Sequence, residues 1–307
     1  MTFGLVSNGS LIFIFIKNKE LWKLANIMIF NLIVTDMLNL MITAPLLCIF
    51  HYPHNNPGNI TGCRIHTLFR QFATSLSAIS LVALSIQRFV ITVPSIEIRL
   101  SVSSHYCSPK IFNTLYVVIV WIISLLVSLP LITIQDVYFY LCGCSNELQP
   151  TKILLLIYFL FYCIVLPSVM IIFSVLTARR LRRSVKEMPC ELRPETHQKF
   201  RLRSATIVTT LAVLFVVSHL PFWSWSVTSY WLDADRTTDL VIISECVTKY
   251  FLFLDSCFNP VALYIASNKF RLFFKQYFCC KAGPENDNQS VMTFSTSLAR
   301  QLSTSEV

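Results

Sequence analysis

Apolar residues run in long blocks along this chain, at about 1–16, 25–50, 65–93, 112–134, 153–177, 205–231 and 240–266, with polar stretches between them. A helix needs an apolar run of about 20 residues to cross a ~30 Å hydrocarbon core. Six of the seven blocks reach that length. The first has 16 residues, which at ~1.5 Å per residue span roughly 24 Å. No signal peptide stands ahead of it, so the expectation is a first membrane helix that is truncated at its start. No internal repeat relates the blocks, which argues against a repeat-built transporter. The loops are short and leave no soluble domain.

The polar stretches carry their own patterns. Segment 51–62, HYPHNNPGNITG, has turn composition and contains the sequon Asn59-Ile60-Thr61, a glycosylation candidate. Segment 133–147, TIQDVYFYLCGCSNE, alternates apolar and polar residues and predicts a small β-hairpin lid. After Tyr264, the residues Phe270, Phe273, Phe274, Tyr277 and Phe278 recur at three-to-four spacing with Lys and Arg between them. That is the pattern of an amphipathic helix lying on a membrane surface. Cys279 and Cys280 close it and are palmitoylation candidates. The remainder is polar and rich in Ser and Thr, as disordered segments are. The expected organisation is a seven-helix bundle over 1–267, an inner-leaflet helix over 268–280 and a disordered cytoplasmic tail over 281–307.

Composition agrees with a membrane protein. Only 13% of residues are charged and 54% are hydrophobic, whereas a soluble domain carries about 25% charge. The formal charge of +9 is distributed unevenly. Lys17, Lys19, Lys23, Arg88, Arg99, Lys110, the cluster from Arg179 to Arg203, and Lys269, Arg271, Lys275 and Lys281 fall on one side of the blocks; Arg64, Lys152 and Arg236 fall on the other. The positive-inside rule makes the first set cytoplasmic, with the N-terminus outside and the C-terminus inside. Basic residues split among short loops are weak evidence for nucleic-acid binding. The cysteines show no zinc spacing. Cys63, Cys142 and Cys144 fall on the outer side, where a disulfide persists.

Charged residues inside an apolar helix are costly and mark function by default. Asp36 lies within the second block and Asp255 within the seventh, with Ser77 and Asn259 at depths that complete a polar cluster able to take a cation. Two neighbouring carboxylates cannot both ionise cheaply, so such a cluster shares a proton or a cation. Pro167, Pro221 and Pro260 fall inside helices and permit kinks. Arg70 and Lys249 lie about two turns from the outer ends of their blocks and suit an anionic ligand group, with Phe222, Trp223 and Trp231 on the opposite wall. Gln71, His219, Ser226 and Glu245 complete the ligand-site candidates. A histidine titrates near neutrality, so a cavity-lining His219 would make the ligand response depend on pH.

In order along seven blocks stand Asn8, NLIVTD with Asp36, Cys63 followed 25 positions later by Arg88, Trp121, Pro167, FVVSHLP with Pro221, and NPVALY at 259–264. Together they resemble the rhodopsin-like (class A) G-protein-coupled receptors over essentially the whole chain. SCFNPVALYIASNKFRLFFKQYFCC, RSVKEMPCE and Lys249 are similar to peptide receptors of the bombesin and endothelin kind. The resemblance implies an all-α membrane protein, a seven-transmembrane bundle with an amphipathic eighth helix, at the plasma membrane. It implies a peptide ligand, a heterotrimeric G protein, receptor kinases and arrestin as partners, and no enzyme activity. Cys63 is expected to bridge to Cys142 or Cys144. Arg88 is expected to meet the G protein, with Gln87, Pro221, Asn259, Pro260 and Tyr264 taking part in the switch as the sixth helix moves outward. Asp36, Ser77, Asp255 and Asn259 are expected to hold a sodium ion as an allosteric ligand, with no other cofactor. The terminal TSEV, with Ser305 and Val307, resembles a PDZ-domain ligand.

Four positions depart from the family pattern. Gln87 stands for the usual acid before the Arg, Val175 stands near the position of a usual tyrosine, His219 replaces a tryptophan, and Asp255 replaces an asparagine. The first weakens the resting lock on Arg88 and raises ligand-free signalling. Val175 and His219 support an alternative, an atypical heptahelical receptor that couples weakly to G proteins and is arrestin-biased or scavenging. A retinal pigment needs a lysine where Phe253 stands.

Overall fold

The computed structural model describes residues 1–22, 24–51, 60–92, 109–132, 135–138, 141–144, 149–187, 195–234 and 238–278. Asn59, Cys279, Cys280, Ser305 and Val307 lie outside these residues, as do the side chains of Cys142 and Cys144.

The first unit, Met1–Ser267, is a bundle. Helix α1 (Thr2–Lys17) is followed by α2 (Leu24–Leu38), which passes through a π turn (Asn39–Thr43) into α3 (Ala44–His51). Helices α4 (Ile60–Ile91) and α5 (Pro109–Ile132) come next. A hairpin of β1 (Gln135–Tyr138) and β2 (Leu141–Cys144) separates them from α6 (Gln149–Leu160), which passes through a second π turn (Phe161–Val165) into α7 (Leu166–Glu187). Helix α8 (Glu195–Trp231) leads to α9 (Asp239–Phe251) and α10 (Leu254–Ala266). Counting α2–α3, α6–α7 and α9–α10 as one span each gives seven spans among the described residues.

The hairpin is antiparallel, with Gln135 opposite Cys144 and Tyr138 opposite Leu141. It lies against α4 and α3 at the end where α3 finishes and α4 begins. Helix α4 is the hub, touching α2, α5, α7 and α8. Its most apolar stretch is 67% buried, against 22% for α5, whose outward Leu and Ile residues face the lipid side.

Prolines explain the irregular turns. A proline has no N–H and frees the carbonyl four residues before it. Both π turns end just before such a residue, the first ahead of Pro45 and the second ahead of Pro167. Pro260 frees the carbonyl of Ser256, and Asn8 Nδ2 of α1 donates to it at 2.8 Å. This bond helps to fasten the first span to the seventh. A second knot joins three spans: Trp121 Nε1 donates to Asn31 Oδ1 at 2.9 Å, and Asn31 Nδ2 donates to Ser80 Oγ at 2.7 Å. Close approach matters at Gly4, where an added Cβ would stand 2.7 Å from Leu40 Cδ1 and 2.8 Å from Cys257 Sγ.

Two boundaries differ from the hydrophobic pattern. The block read as continuous over 240–266 is broken at Leu252–Phe253, where backbone bonds tighten to the i+3 pattern, Leu252 to Lys249 and Phe253 to Tyr250. Helices α7 and α8 run beyond their apolar blocks to Glu187 and from Glu195. Arg and Lys are good helix formers, so the helix continues after the chain has left the apolar layer.

The second unit, Asn268–Val307, contains α11 (Asn268–Phe278) among its described residues. Its Phe274 and Phe278 rings pack one turn apart, with centroids at 4.8 Å.

Candidate functional site

Three layers of polar and aromatic side chains run through the bundle. At the hairpin end, α4 presents His66, Arg70 and Gln71, all buried. The Arg70 guanidinium lies over the Phe222 ring of α8, 5.1 Å from its centroid. Lys249 of α9 is also buried; its Nζ donates to Glu245 Oε1 at 2.6 Å. His66 lies within electrostatic range of both Arg70 and Lys249. Three basic side chains from two spans therefore lie near one another at this end.

An aromatic floor lies beneath them. Tyr158, Tyr162 and Trp223 form a triangle of nearly parallel rings, with centroids 5.2–6.0 Å apart. Phe222 meets Trp223 edge-on at 5.1 Å. Gln71 Nε2 donates to the Tyr162 hydroxyl at 2.9 Å, and that hydroxyl is 2.6 Å from Ser75 Oγ. Among the described residues, the donor Trp223 Nε1 and the acceptor Gln71 Oε1 of this layer have no hydrogen-bond partner. Cys63 is disulfide-bonded near the start of α4.

The middle layer is built on the carboxylates. Asn259 Nδ2 donates to Asp36 Oδ2 at 2.9 Å. Asp36 and Asp255 are electrostatic neighbours, both fully enclosed. Asp255 Oδ1 accepts from the Ser256 N–H at 2.8 Å, and the Ser77 hydroxyl lies beside that carboxyl. Asn39 Nδ2 reaches Ser256 Oγ at 3.0 Å. Among the described residues Asp36 Oδ1 and Asn259 Oδ1 have no hydrogen-bond partner. His219 stacks on Phe215 at 3.9 Å, donates its Nδ1–H to the Phe215 carbonyl at 2.9 Å, and faces Asp255. It is a core residue one turn below Trp223, joined to the carboxylate layer.

At the far end, Gln87 is buried and Arg88 is half-buried. Among the described residues no carboxylate forms an ion pair with Arg88. Phe89 packs on Phe173 at 5.6 Å. Val175 is 42% exposed, and the neighbouring buried position is taken by Ser174. Pro221 lies within a continuous α8, and Tyr264 is half-buried near the end of α10.

The structure thus brings together Arg70, Gln71, Phe222, Trp223, Glu245 and Lys249 at one end, and Asp36, Ser77, Asp255 and Asn259 in the middle. Ser226 bonds the Phe222 carbonyl of its own helix. Trp231 does not line the pocket: it sits at the last turn of α8 and is 51% exposed. Sequence reasoning missed His66, Tyr158, Tyr162 and Ser75. Their signal is helical spacing: His66 and Ser75 stand four residues either side of Arg70 and Gln71, and Tyr158 and Tyr162 are four apart.

Comparison with known proteins follows the same residues. Residues 7–264 match the profile of the family described as 7 transmembrane receptor (rhodopsin family). The chain is 28% identical over 306 residues to bombesin receptor subtype-3 of Ovis aries, covering 91% of this chain and 73% of that one. It is 28% identical over 311 residues to the Phe13-bombesin receptor of Bombina orientalis, covering 95% and 78%. It is 24% identical over 311 residues to endothelin receptor type B of Canis lupus familiaris, covering 94% and 68%.

Proposed function

The chain belongs to the rhodopsin family of seven-transmembrane receptors, and on that premise we propose that it binds an extracellular peptide and passes the signal to a heterotrimeric G protein. It is a multi-pass membrane receptor of the peptide-receptor type and not an enzyme. The observation that carries the peptide reading is the hairpin-end pocket, where Arg70, Lys249 and the Tyr158–Tyr162–Trp223 floor offer charge beside a broad aromatic surface. Such a surface suits a ligand with both apolar and anionic parts. In this reading the hairpin end is extracellular and the Arg88 end is cytoplasmic, at the plasma membrane.

The switch follows the layers. A peptide pressing on Trp223 and Phe222 acts on α8 one turn above His219 and next to Pro221. Outward movement of α8 then opens the Arg88 end to the G protein's C-terminal helix, while Asn259, Pro260 and Tyr264 rearrange in α10. The middle layer suits a sodium ion, because hard cations take oxygen ligands and, among the described residues, Asp36 Oδ1 and Asn259 Oδ1 are unengaged acceptors, with the Ser77 hydroxyl beside Asp255. Asp36 and Asp255 would supply the charge that such a cation neutralises, which would favour the resting arrangement. Ser and Thr of the tail are proposed kinase substrates for arrestin, Cys279 and Cys280 palmitoylation sites, Asn59 a glycosylation site, and Ser305 and Val307 a PDZ-domain ligand.

The test is a peptide-library screen on cells expressing the receptor, read by G-protein and arrestin sensors together. A peptide that raises both signals, and that loses them in Trp223→Ala, supports the proposal. A second reading, weak G-protein coupling, is favoured by the outward Val175 and by His219 in the core. An arrestin response beside a flat G-protein response decides for it.

A further inference from the structure

Helix α7 sorts its side chains by face as it leaves the apolar layer. Ile172, Val175 and Leu176 are exposed, whereas Met170, Ser174, Thr177 and Leu181 are buried against the bundle. Residues three and four apart share a helix face, so Arg179 and Arg183 continue the outward face of Ile172, Val175 and Leu176. Both arginines are exposed, and Arg180 beside them is half-buried. Among the described residues, none of the three engages a hydrogen-bond or ion-pair partner. The level of the face is set by the ring contact of Phe173 with Phe89, the residue after Arg88. Arg179 stands six residues beyond Phe173, roughly 9 Å along the helix, and Arg183 one further turn out. Over 177–187 the sequence holds Arg179, Arg180, Arg182, Arg183 and Lys186 against the acid Glu187.

We propose that Arg179 and Arg183, with Arg180 beside them, form a site for a membrane lipid with a multiply phosphorylated headgroup, whose acyl chains lie along Ile172, Val175 and Leu176. The shared face specifies the ligand: what meets both parts is apolar in the bilayer and anionic at its surface. Guanidinium groups hold phosphate oxygens in a planar, two-bond fork. Three positive charges within about one turn exceed what a singly charged headgroup balances, and a headgroup with several phosphates matches them. The buried face of Thr177 and Leu181, not this one, is turned to the bundle, where the proposed G-protein contact at Arg88 lies. The site rests on the reading that puts the Arg88 end on the cytoplasmic side, the side on which anionic lipids face basic segments next to a membrane helix. Helix α7 packs on α8, so the lipid lies beside the helix whose outward movement is proposed to open that end.

The test needs neither a membrane orientation nor a G protein. The full chain is purified in detergent, and native mass spectrometry reads its binding of phosphatidylinositol bisphosphate, phosphatidylserine and the soluble headgroup inositol trisphosphate. Wild type is expected to bind the bisphosphate lipid more tightly than the other two. Arg179→Gln/Arg183→Gln is expected to weaken that binding roughly 20-fold, since each basic residue at an anionic surface contributes a factor of about five. Lys17→Gln/Lys275→Gln removes the same charge from exposed positions elsewhere and is expected to leave the binding unchanged. Both arginines are exposed, so their replacement is expected to leave the melting temperature unaltered. Equal binding of phosphatidylserine assigns a general attraction to negative lipid and overturns the site. Equal binding of the soluble headgroup, an equal loss in the lysine variant, or undiminished binding in the arginine variant overturns it too. A protein that binds the lipid in this way yet gives no response in the peptide screen contradicts the peptide-receptor reading and leaves the lipid site standing.

Discussion

Asn8 illustrates how single residues hold this bundle. Its amide takes the carbonyl that Pro260 leaves free, at 2.8 Å, in a fully enclosed place. Asn8→Ala leaves that carbonyl without a partner, which costs about 1–3 kcal/mol. A lower melting temperature of the purified protein checks this; an unchanged one shows that another group takes the carbonyl. Gly4 is constrained in the opposite way, by lack of room. Gly4→Ala forces a methyl against Leu40 and the backbone of Cys257, and overpacking of this kind costs about 1–3 kcal/mol. Gly9 has open space around its Cβ direction, so Gly9→Ala in the same melting experiment is expected to be harmless.

At the scale of elements, the π turn at Phe161–Val165 aims Tyr162 at α4. Its hydroxyl joins Gln71 and Ser75, so Tyr162→Phe removes two bonds at once. The expected result is a loss of about 1–3 kcal/mol in stability, together with weaker peptide potency, because Gln71 and the aromatic floor lose their fixed spacing. Unaltered potency with lowered stability would restrict the residue to packing. The spans themselves were legible in the apolar blocks, because a helix in lipid must satisfy its backbone internally and be apolar throughout. The π turns and the break at Leu252–Phe253 were not. Hydropathy does not distinguish α from π or tightened turns, and no Gly or Pro stands at 252 or 253. The hairpin was legible because a period of two survives in a short segment.

For the molecule as a whole, the three layers form one path from the hairpin end to Arg88. The carboxylates of the middle layer were readable as charges out of place, whereas the His219–Asp255 relation was not, since the two residues are far apart in sequence and meet only through packing of α8 on α10. If sodium occupies the middle layer, added sodium chloride raises the melting temperature saturably over choline chloride at equal ionic strength. Asp36→Asn removes that difference; a difference that persists places the ion elsewhere. The account's central claim is that Arg88 is the contact for a G protein and is held weakly at rest, because Gln87 offers no charge and no carboxylate pairs with Arg88 among the described residues. The most direct measurement is nucleotide exchange by purified heterotrimeric G protein on ligand-free receptor in lipid vesicles. Wild type is predicted to accelerate exchange, Gln87→Asp to slow it by supplying the missing charge-assisted bond, and Arg88→Ala to abolish it. Equal exchange rates for all three proteins would contradict the account.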